Sequence, residues 1–293
     1  MDQKAAVQHL HALPIWQGRI TTKPLGGGRT NLNFTVTDES ATYVARFGED
    51  LPEHQLLRFN ELAASRAAHA VGLSPAVIYT EDGLTVIDYI KSKTLGESDV
   101  GTPDMLARII PLLQRCHREI PKYYRGPALI FWVFHVIRDY AATLQDRGSD
   151  YAAKLPDYLQ ICAALETASG PFDIVFGHND LMAANFLDSG TRLWLIDWDY
   201  AGFNSPLFDL GGLASNNSLT QPQEQNMLDL YFEGAVTDDL LHRYHAMKCA
   251  SLLRECMWSM VSELTSKLDI DYKAYTAENI GRFNRAYDTY KQS

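Results

Sequence analysis

Polar and apolar positions alternate early in the chain. Leu32, Phe34 and Val36 are separated by polar residues, the period of a half-buried strand. Asp38-Glu39-Ser40 reads as a turn, and Thr42 to Phe47 as the return strand of a hairpin. Glu53 to Val71 is rich in Leu, Ala, Glu and Arg and free of Pro and Gly, which predicts a helix ended by Gly72. Ala76 to Tyr79 and Leu84 to Ile90 flank Glu81-Asp82-Gly83 as a second hairpin. Beyond Lys91 the pattern turns helical. Pro103 to Arg118 and Phe131 to Arg147 are predicted helices. A strand island interrupts them at Asp173 to Phe176, Asn185 to Leu187 and Thr191 to Ile196, and helices resume near Gln221. The predicted class is α+β. Residues 1–90 form a β-rich lobe and residues 91–293 a mainly helical one.

One helix departs from simple amphipathicity. Thr237 is a good N-cap, and Asp238 and Asp239 suit the positive end of the helix dipole. At about 100° per residue, Cys249, Leu253, Cys256 and Met260 share one face. Trp258 falls on the other, polar side with Ser251, Arg254 and Ser262, and Glu255 lies about 60° from it. A tryptophan there calls for a reason.

Composition narrows the partners. The 293 residues are 46% hydrophobic and 21% charged, as in folded globular chains. The net charge of −10 disfavours nucleic acid and anionic membrane surfaces and suits a cationic small molecule. The four cysteines form no CxxC pair, which argues against zinc ribbons and redox motifs and fits reduced cytoplasmic thiols. Met1 to Trp16 has no apolar run after a basic patch. The longest apolar stretch, Ala128 to Ile137, is about half the ~20 residues of a membrane span. The expectation is a cytoplasmic protein that does not insert into membranes.

The strongest chemical signal is His178-Asn179-Asp180 followed by Asn185, and then Ile196-Asp197-Trp198-Asp199 after a hairpin. The spacing is that of a phosphoryl-transfer catalytic loop, H-x-D-x-x-x-x-N, with a second Asp beyond the next strands. Asp180 can accept a proton from an acceptor hydroxyl or orient it. The Asn185 carbonyl and the Asp197 carboxylate are hard oxygen ligands of the kind Mg²⁺ prefers. Upstream, Gly26-Gly27-Gly28-Arg29-Thr30-Asn31 precedes the first hairpin, where glycines let backbone N–H groups approach phosphates. Arg46 is the strand cation placed for those phosphates, and Glu61 in the following helix is its natural partner. No A-P-E or long activation segment follows Tyr200, so a small-molecule acceptor is favoured over a protein.

These blocks resemble the choline/ethanolamine kinase family, within the group that includes aminoglycoside phosphotransferases. The likeness rests on Gly27-Gly28-Arg29-Thr30-Asn31, Val44-Ala45-Arg46-Phe47-Gly48, Glu61, Gly177 to Asn185, Ile196 to Tyr200 and Phe208-Asp209-Leu210. It implies a protein kinase-like bilobal fold with ATP between the lobes and Mg²⁺ on Asn185 and Asp197. The connector Asp88-Tyr89-Ile90 would meet the adenine through backbone groups. The implied acceptor is choline or ethanolamine, held by Trp258, Asp199 and Tyr200 as an acidic, aromatic cage. The chain departs from eukaryotic members at Glu255, where a second cage tryptophan stands, and at Asn216-Asn217, where they carry Glu-Trp; Glu255 is then a further acceptor-binding candidate, restoring the negative charge that Asn216 lacks. Its short form is closer to bacterial members, some of which supply phosphocholine for surface glycolipids. Aminoglycoside or thiamine phosphorylation, and a catalytically inactive binding protein, are the competing readings.

Overall fold

The computed structural model describes residues 2–26, 31–266, 268 and 270–292. It opens with α1 (Gln3–Ala12), capped by Asp2, whose carboxylate accepts the Ala5 N–H at 2.8 Å. Next come β1 (Thr21–Leu25), β2 (Leu32–Thr37) and β3 (Thr42–Phe47). After them stand α2 (Arg58–Ala70), β4 (Val77–Glu81) and β5 (Leu84–Asp88). The strands pair antiparallel in the order β1-β2-β3-β5-β4. The alternation read from the sequence puts Phe34, Val36, Ala45, Phe47, Leu84 and Val86 on one face. Ala6 and Leu10 of α1 close that small core.

Two elements here escaped the sequence pattern. Helix α1 buries only Ala6 and Leu10, too few for a clear period. Strand β1 is a mostly exposed edge carrying Pro24, so it shows little alternation. The helix expected from Glu53 also begins later. Pro52–His54 is a single 3-10 turn, and Gln55 adopts a left-handed φ of 58°. Leu51 and Leu56 then bridge to each other through paired backbone bonds. The break carries His54 away from α2 and into the second part of the molecule.

The chain leaves the sheet at Asp88, and β6 (Lys93–Thr94) already pairs with the strand island beyond. Helices α3 (Glu97–Val100), α4 (Pro103–Glu119), α5 (Val133–Asp146) and α6 (Leu155–Ala168) follow. Strands β7 (Val175–Gly177), β8 (Phe186–Asp188), β9 (Leu193–Leu195) and β10 (Gly202–Asn204) come next. The chain closes with α7 (Pro206–Asn216), α8 (Gln221–Tyr231), α9 (Asp238–Thr265) and α10 (Tyr272–Tyr290). β6-β8-β9 form one small sheet and β7-β10 another. Asn185, read as the start of a strand, lies instead in the 3-10 turn Ala183–Asn185 just before β8.

Helix α9 runs through the middle, packed by α5, α6, α7 and α10. Thr237 caps it as expected, its hydroxyl accepting the Leu240 N–H at 3.2 Å. A Cβ on Gly211 of α7 would come within 2.9 Å of the Lys248 Cα, so glycine sets how closely α7 and α9 approach. The helix is not amphipathic towards solvent. Ser251, Arg254, Trp258 and Ser262 are buried just as Cys249, Leu253, Cys256 and Met260 are. Its polar side faces the interior, which is the reason the sequence asked for.

Candidate active site

The candidate catalytic loop is suspended between β7 and β8 and pinned from below by α7. Ser205 caps α7 and Pro206 opens it, which places Asp209 in the first turn. The Asp209 carboxylate is 1% exposed and accepts the His178 and Asn179 backbone N–H groups at 2.8 and 2.7 Å. It also accepts the His117 Nε2–H at 2.9 Å, while His117 Nδ1 pairs with the Tyr231 hydroxyl at 2.6 Å. Asn179 takes a left-handed φ of 65°. Its amide donates to the carbonyls of Tyr200 and Gly202 at 2.9 and 3.2 Å. The loop is thereby tied to the segment that carries Asp197.

His178 has one consistent protonation state. Its Nε2 lies 2.9 Å from the Ile196 carbonyl, which can only accept, so Nε2 holds the proton. Nδ1 then accepts the Asp180 N–H at 3.3 Å. Burial pushes the imidazole down, in keeping with a neutral ring. The ring is a strut that sets the backbone of Asp180, and it packs on Trp198 with centroids 4.8 Å apart. Asn185 Nδ2 donates to the Asp180 carbonyl at 2.8 Å, which turns Oδ1 the other way.

Above the loop, charges interlock. Arg46 of β3 reaches Glu61 at 3.2 Å, Asp197 at 2.8 Å and Asp199 at 3.4 Å. Arg58 of α2 reaches Glu61 at 2.5 Å and Asp199 at 3.0 Å. Burial opposes ionisation of Asp197, but Arg46 wins and holds it below the usual carboxylate range. Asp199 goes the other way: burial, then Asp197 and Glu61, push its carboxyl well above that range. Three carboxyls share two guanidiniums, and the buried Asp199, repelled by both of the others, keeps its proton most easily. Asp199, expected beside the acceptor, is thus engaged by the two arginines. The sequence reading overlooked Arg58, which spacing alone does not relate to Asp199.

Asn31 lies over Gly48, where a Cβ would come within 2.3 Å of Asn31 Oδ1. With Arg46, Arg58 and Glu61 it lines a cleft of about 260 Å³. Gly27, Gly28, Arg29 and Thr30 lie outside the described residues. At the connector, the Asp88 and Tyr89 N–H groups are used by the Ala76 and Thr42 carbonyls. The Ile90 carbonyl accepts from the Ser92 hydroxyl at 3.0 Å.

Trp258 and Tyr200 do meet, the indole N–H donating to the Tyr200 hydroxyl at 3.0 Å. Tyr275 and Tyr272 of α10 add rings with centroids 6.4 and 6.2 Å from Trp258. Glu255 accepts from the Tyr275 hydroxyl at 2.7 Å and from Arg254 at 3.0 Å. His54 completes the group, its ring tilted over Trp258 with centroids 5.1 Å apart. Tyr275, Arg254 and His54 were not anticipated, because they arrive from α10, from beside Glu255 and from the broken turn before α2.

His54 gives the fold a pH signature. Burial, aided by the positive Arg254, pushes its imidazole from the ordinary 6.5 down to about 4. Between those values the unfolded chain binds a proton that the native ring refuses. Native stability therefore falls as pH drops through the unfolded value and stops falling below the folded one. At about 1.4 kcal/mol per unit, the loss is about 3 kcal/mol. His54→Gln is expected to flatten this window in urea unfolding between about pH 7 and about pH 4. An unchanged slope would rule out His54 as its source.

A β-rich part, a helical part, and a loop bearing Asp180 and Asn185 beside the segment that carries Asp197 define a kinase-like phosphotransferase architecture. The chain belongs to the phosphotransferase enzyme family (APH), whose profile matches residues 21–246. It is 26% identical over 212 residues to protein LicA of Haemophilus influenzae, covering 70% of this chain. The match spans 61% of that relative's length. It is 24% identical over 303 residues to a probable ethanolamine kinase of Arabidopsis thaliana, covering 92% of this chain and 78% of the relative. Among solved structures, a choline/ethanolamine kinase family protein from Mesorhizobium loti superposes with a TM-score of 0.80 at 27% identity. That likeness covers 98% of this chain and 94% of the other. The bilobal fold expected from the sequence is the one found.

Proposed function

We propose that this protein is an ATP- and Mg²⁺-dependent kinase that phosphorylates the hydroxyl of a small amino alcohol of the choline and ethanolamine type. The observation that carries the reading is the convergence of Asp180, Asn185 and Asp197 beside the Arg46–Glu61 pair, with Trp258 and Tyr200 below. Among the described residues no group of three or more His, Cys, Asp or Glu forms a closed metal centre. That suits Mg²⁺, which takes one or two protein oxygens and fills its shell with phosphate and water. The Asn185 Oδ1 and the Asp197 carboxylate fit that donor set. Bound there, Mg²⁺ would neutralise charge on the triphosphate.

The chain's own groups do the rest. The Asp180 carboxylate accepts the acceptor's hydroxyl proton as the hydroxyl oxygen bonds to the γ-phosphorus. The bond from that phosphorus to the bridging oxygen breaks, and ADP leaves with the electron pair. Arg46, anchored by Glu61, orients phosphate oxygens. Until it does, it serves as the counter-ion of Asp197. With Asp88 and Tyr89 spending their N–H groups in the sheet, the adenine contact falls to Ile90. Trp258, Tyr200 and Tyr275 offer ring faces to the acceptor's ammonium. All four cysteines are buried and free, as in a reducing cytoplasm, and no described helix is long and apolar enough to cross a membrane.

ADP release should be measured against choline, ethanolamine, thiamine and an aminoglycoside. Turnover with the amino alcohols is expected, and its absence with turnover on an aminoglycoside would overturn the acceptor class. Trp258→Ala is expected to raise the acceptor KM about 10- to 100-fold, the loss of a desolvated cation–π contact of about 2 kcal/mol. An unchanged KM would remove Trp258 from the acceptor site.

A further inference from the structure

Two arginines share the carboxyls above the loop, and they are held differently. Arg46 of β3 makes its contacts through the tip of the side chain. Nη1 meets Glu61 at 3.2 Å, and Nη2 meets Asp197 at 2.8 Å and Asp199 at 3.4 Å. Arg58 of α2 is tethered along its length. Its backbone N–H donates to the Asp50 carboxylate at 2.7 Å, and its Nε–H donates to the Glu49 carbonyl at 3.0 Å. Its Nη2 packs on Gly48, where a Cβ would come within 2.9 Å of it. These tethers fix Nη1 between Glu61 at 2.5 Å and Asp199 at 3.0 Å.

When Arg46 turns Nη2 to a phosphate, Asp199 loses that arginine and keeps Arg58. Asp199 stands two residues beyond Asp197, which takes a left-handed φ of 69°. That conformation is sparsely populated for a residue with a side chain and persists only where its surroundings enforce it. The first turn of α2 grips the segment at two points. Arg58 holds Asp199, and the buried Asn60 Nδ2 donates to the Ala201 carbonyl at 2.7 Å. Asn60 is itself fixed, its Oδ1 accepting from the Tyr124 hydroxyl at 2.7 Å.

Resting on the kinase reading above, we propose that Arg58 is a positioning residue for phosphoryl transfer. It is the fixed partner that keeps Glu61 and, through Asp199, the left-handed Asp197 in place once Arg46 has moved to phosphate. Arg58 itself touches no substrate. A single nitrogen makes both of its carboxyl contacts, so a single ammonium at that point can stand in for it. Lysine is therefore expected to serve where an uncharged side chain does not.

The test uses the full chain. Arg58→Gln removes the charge and leaves Asn60 holding the segment at Ala201, and Arg58→Met makes the same removal if the glutamine variant does not fold. Calorimetric titration with a non-hydrolysable ATP analogue and Mg²⁺ is expected to show a Kd weaker by about 10-fold at wild-type stoichiometry. ADP release with ethanolamine and choline should show the KM for ATP raised about 10-fold and kcat lowered about 10-fold, with the acceptor KM within about two-fold of wild type. Arg58→Lys should return Kd and the KM for ATP to within about three-fold of wild type. A fall in stoichiometry or kcat with Kd and both KM values unchanged would show that Arg58 only supports the fold, and would overturn the inference. A lysine variant no better than the uncharged one, or wild-type values throughout, would overturn it too. Absence of ADP release by the wild-type chain with either amino alcohol would overturn the kinase reading instead, and the titration would then decide the role of Arg58 by itself.

Discussion

Asp180→Asn is expected to lower kcat by about 10³, within the range for loss of a positioned general base. Nucleotide affinity should stay within a few-fold of wild type. Asparagine keeps the size of the side chain and cannot take a proton from the acceptor hydroxyl. The Asp180 backbone N–H goes to His178 and its carbonyl accepts from Asn185. The substitution leaves both in place. The Arg46–Glu61 pair, proposed to orient phosphates, is held by Asp197, Asp199 and Arg58. A coupled ADP assay reads turnover, and a nucleotide titration reads binding. A variant with wild-type kcat would end the assignment of Asp180 as base. Equal losses in kcat and nucleotide binding would recast it as a nucleotide ligand.

Asp209→Ala is the second large effect, and it acts without contact with substrate. The carboxylate is buried and takes the His178 N–H, the Asn179 N–H and the His117 Nε2–H. Removing it strands those donors in a site closed to water. Breaking a buried interaction of this kind by deleting one partner costs about 3–5 kcal/mol. The loop also loses what sets the left-handed Asn179 and the direction of the next residue, Asp180. The expected result is that stability loss in urea unfolding, with kcat lower by about 10² from misplacement of the base. Asp209→Asn should rescue little, because its amide nitrogen would face N–H donors. A variant with wild-type stability and turnover would show that the loop holds its shape without this anchor.

The local motifs were legible because their information is local. Alternation of Phe34 and Val36 marks a strand face whatever surrounds it. The interval from His178 to Asn185 marks a loop of fixed reach. The Arg46–Glu61 pair was legible too, since a strand cation and a helix carboxylate a short way on have few other ways to meet. The edge strand β1 and helix α1 were not, because each buries too little to leave a period. The helix start at Arg58 was missed because Glu53 to His54 has helical propensity, and the left-handed Gln55 overrides it.

Trp258 shows the boundary most clearly. Its angle on the helix wheel was correct, yet the polar side of α9 meaning interior rather than solvent depends on α10 and α5 covering it. Asp199 reads as one more acid until α2 brings Arg58 to it across 141 positions. Arg254 reads as one residue of a polar stripe until Tyr200 lies under it. Sequence alone determined the alternating strands, the candidate catalytic loop and the order of its chemical groups, because periodicity and short intervals act along the chain. Tertiary structure decided which carboxylate each arginine serves. Those pairings join residues far apart in the chain, and a charge carries no record of its partner until the fold sets the distance.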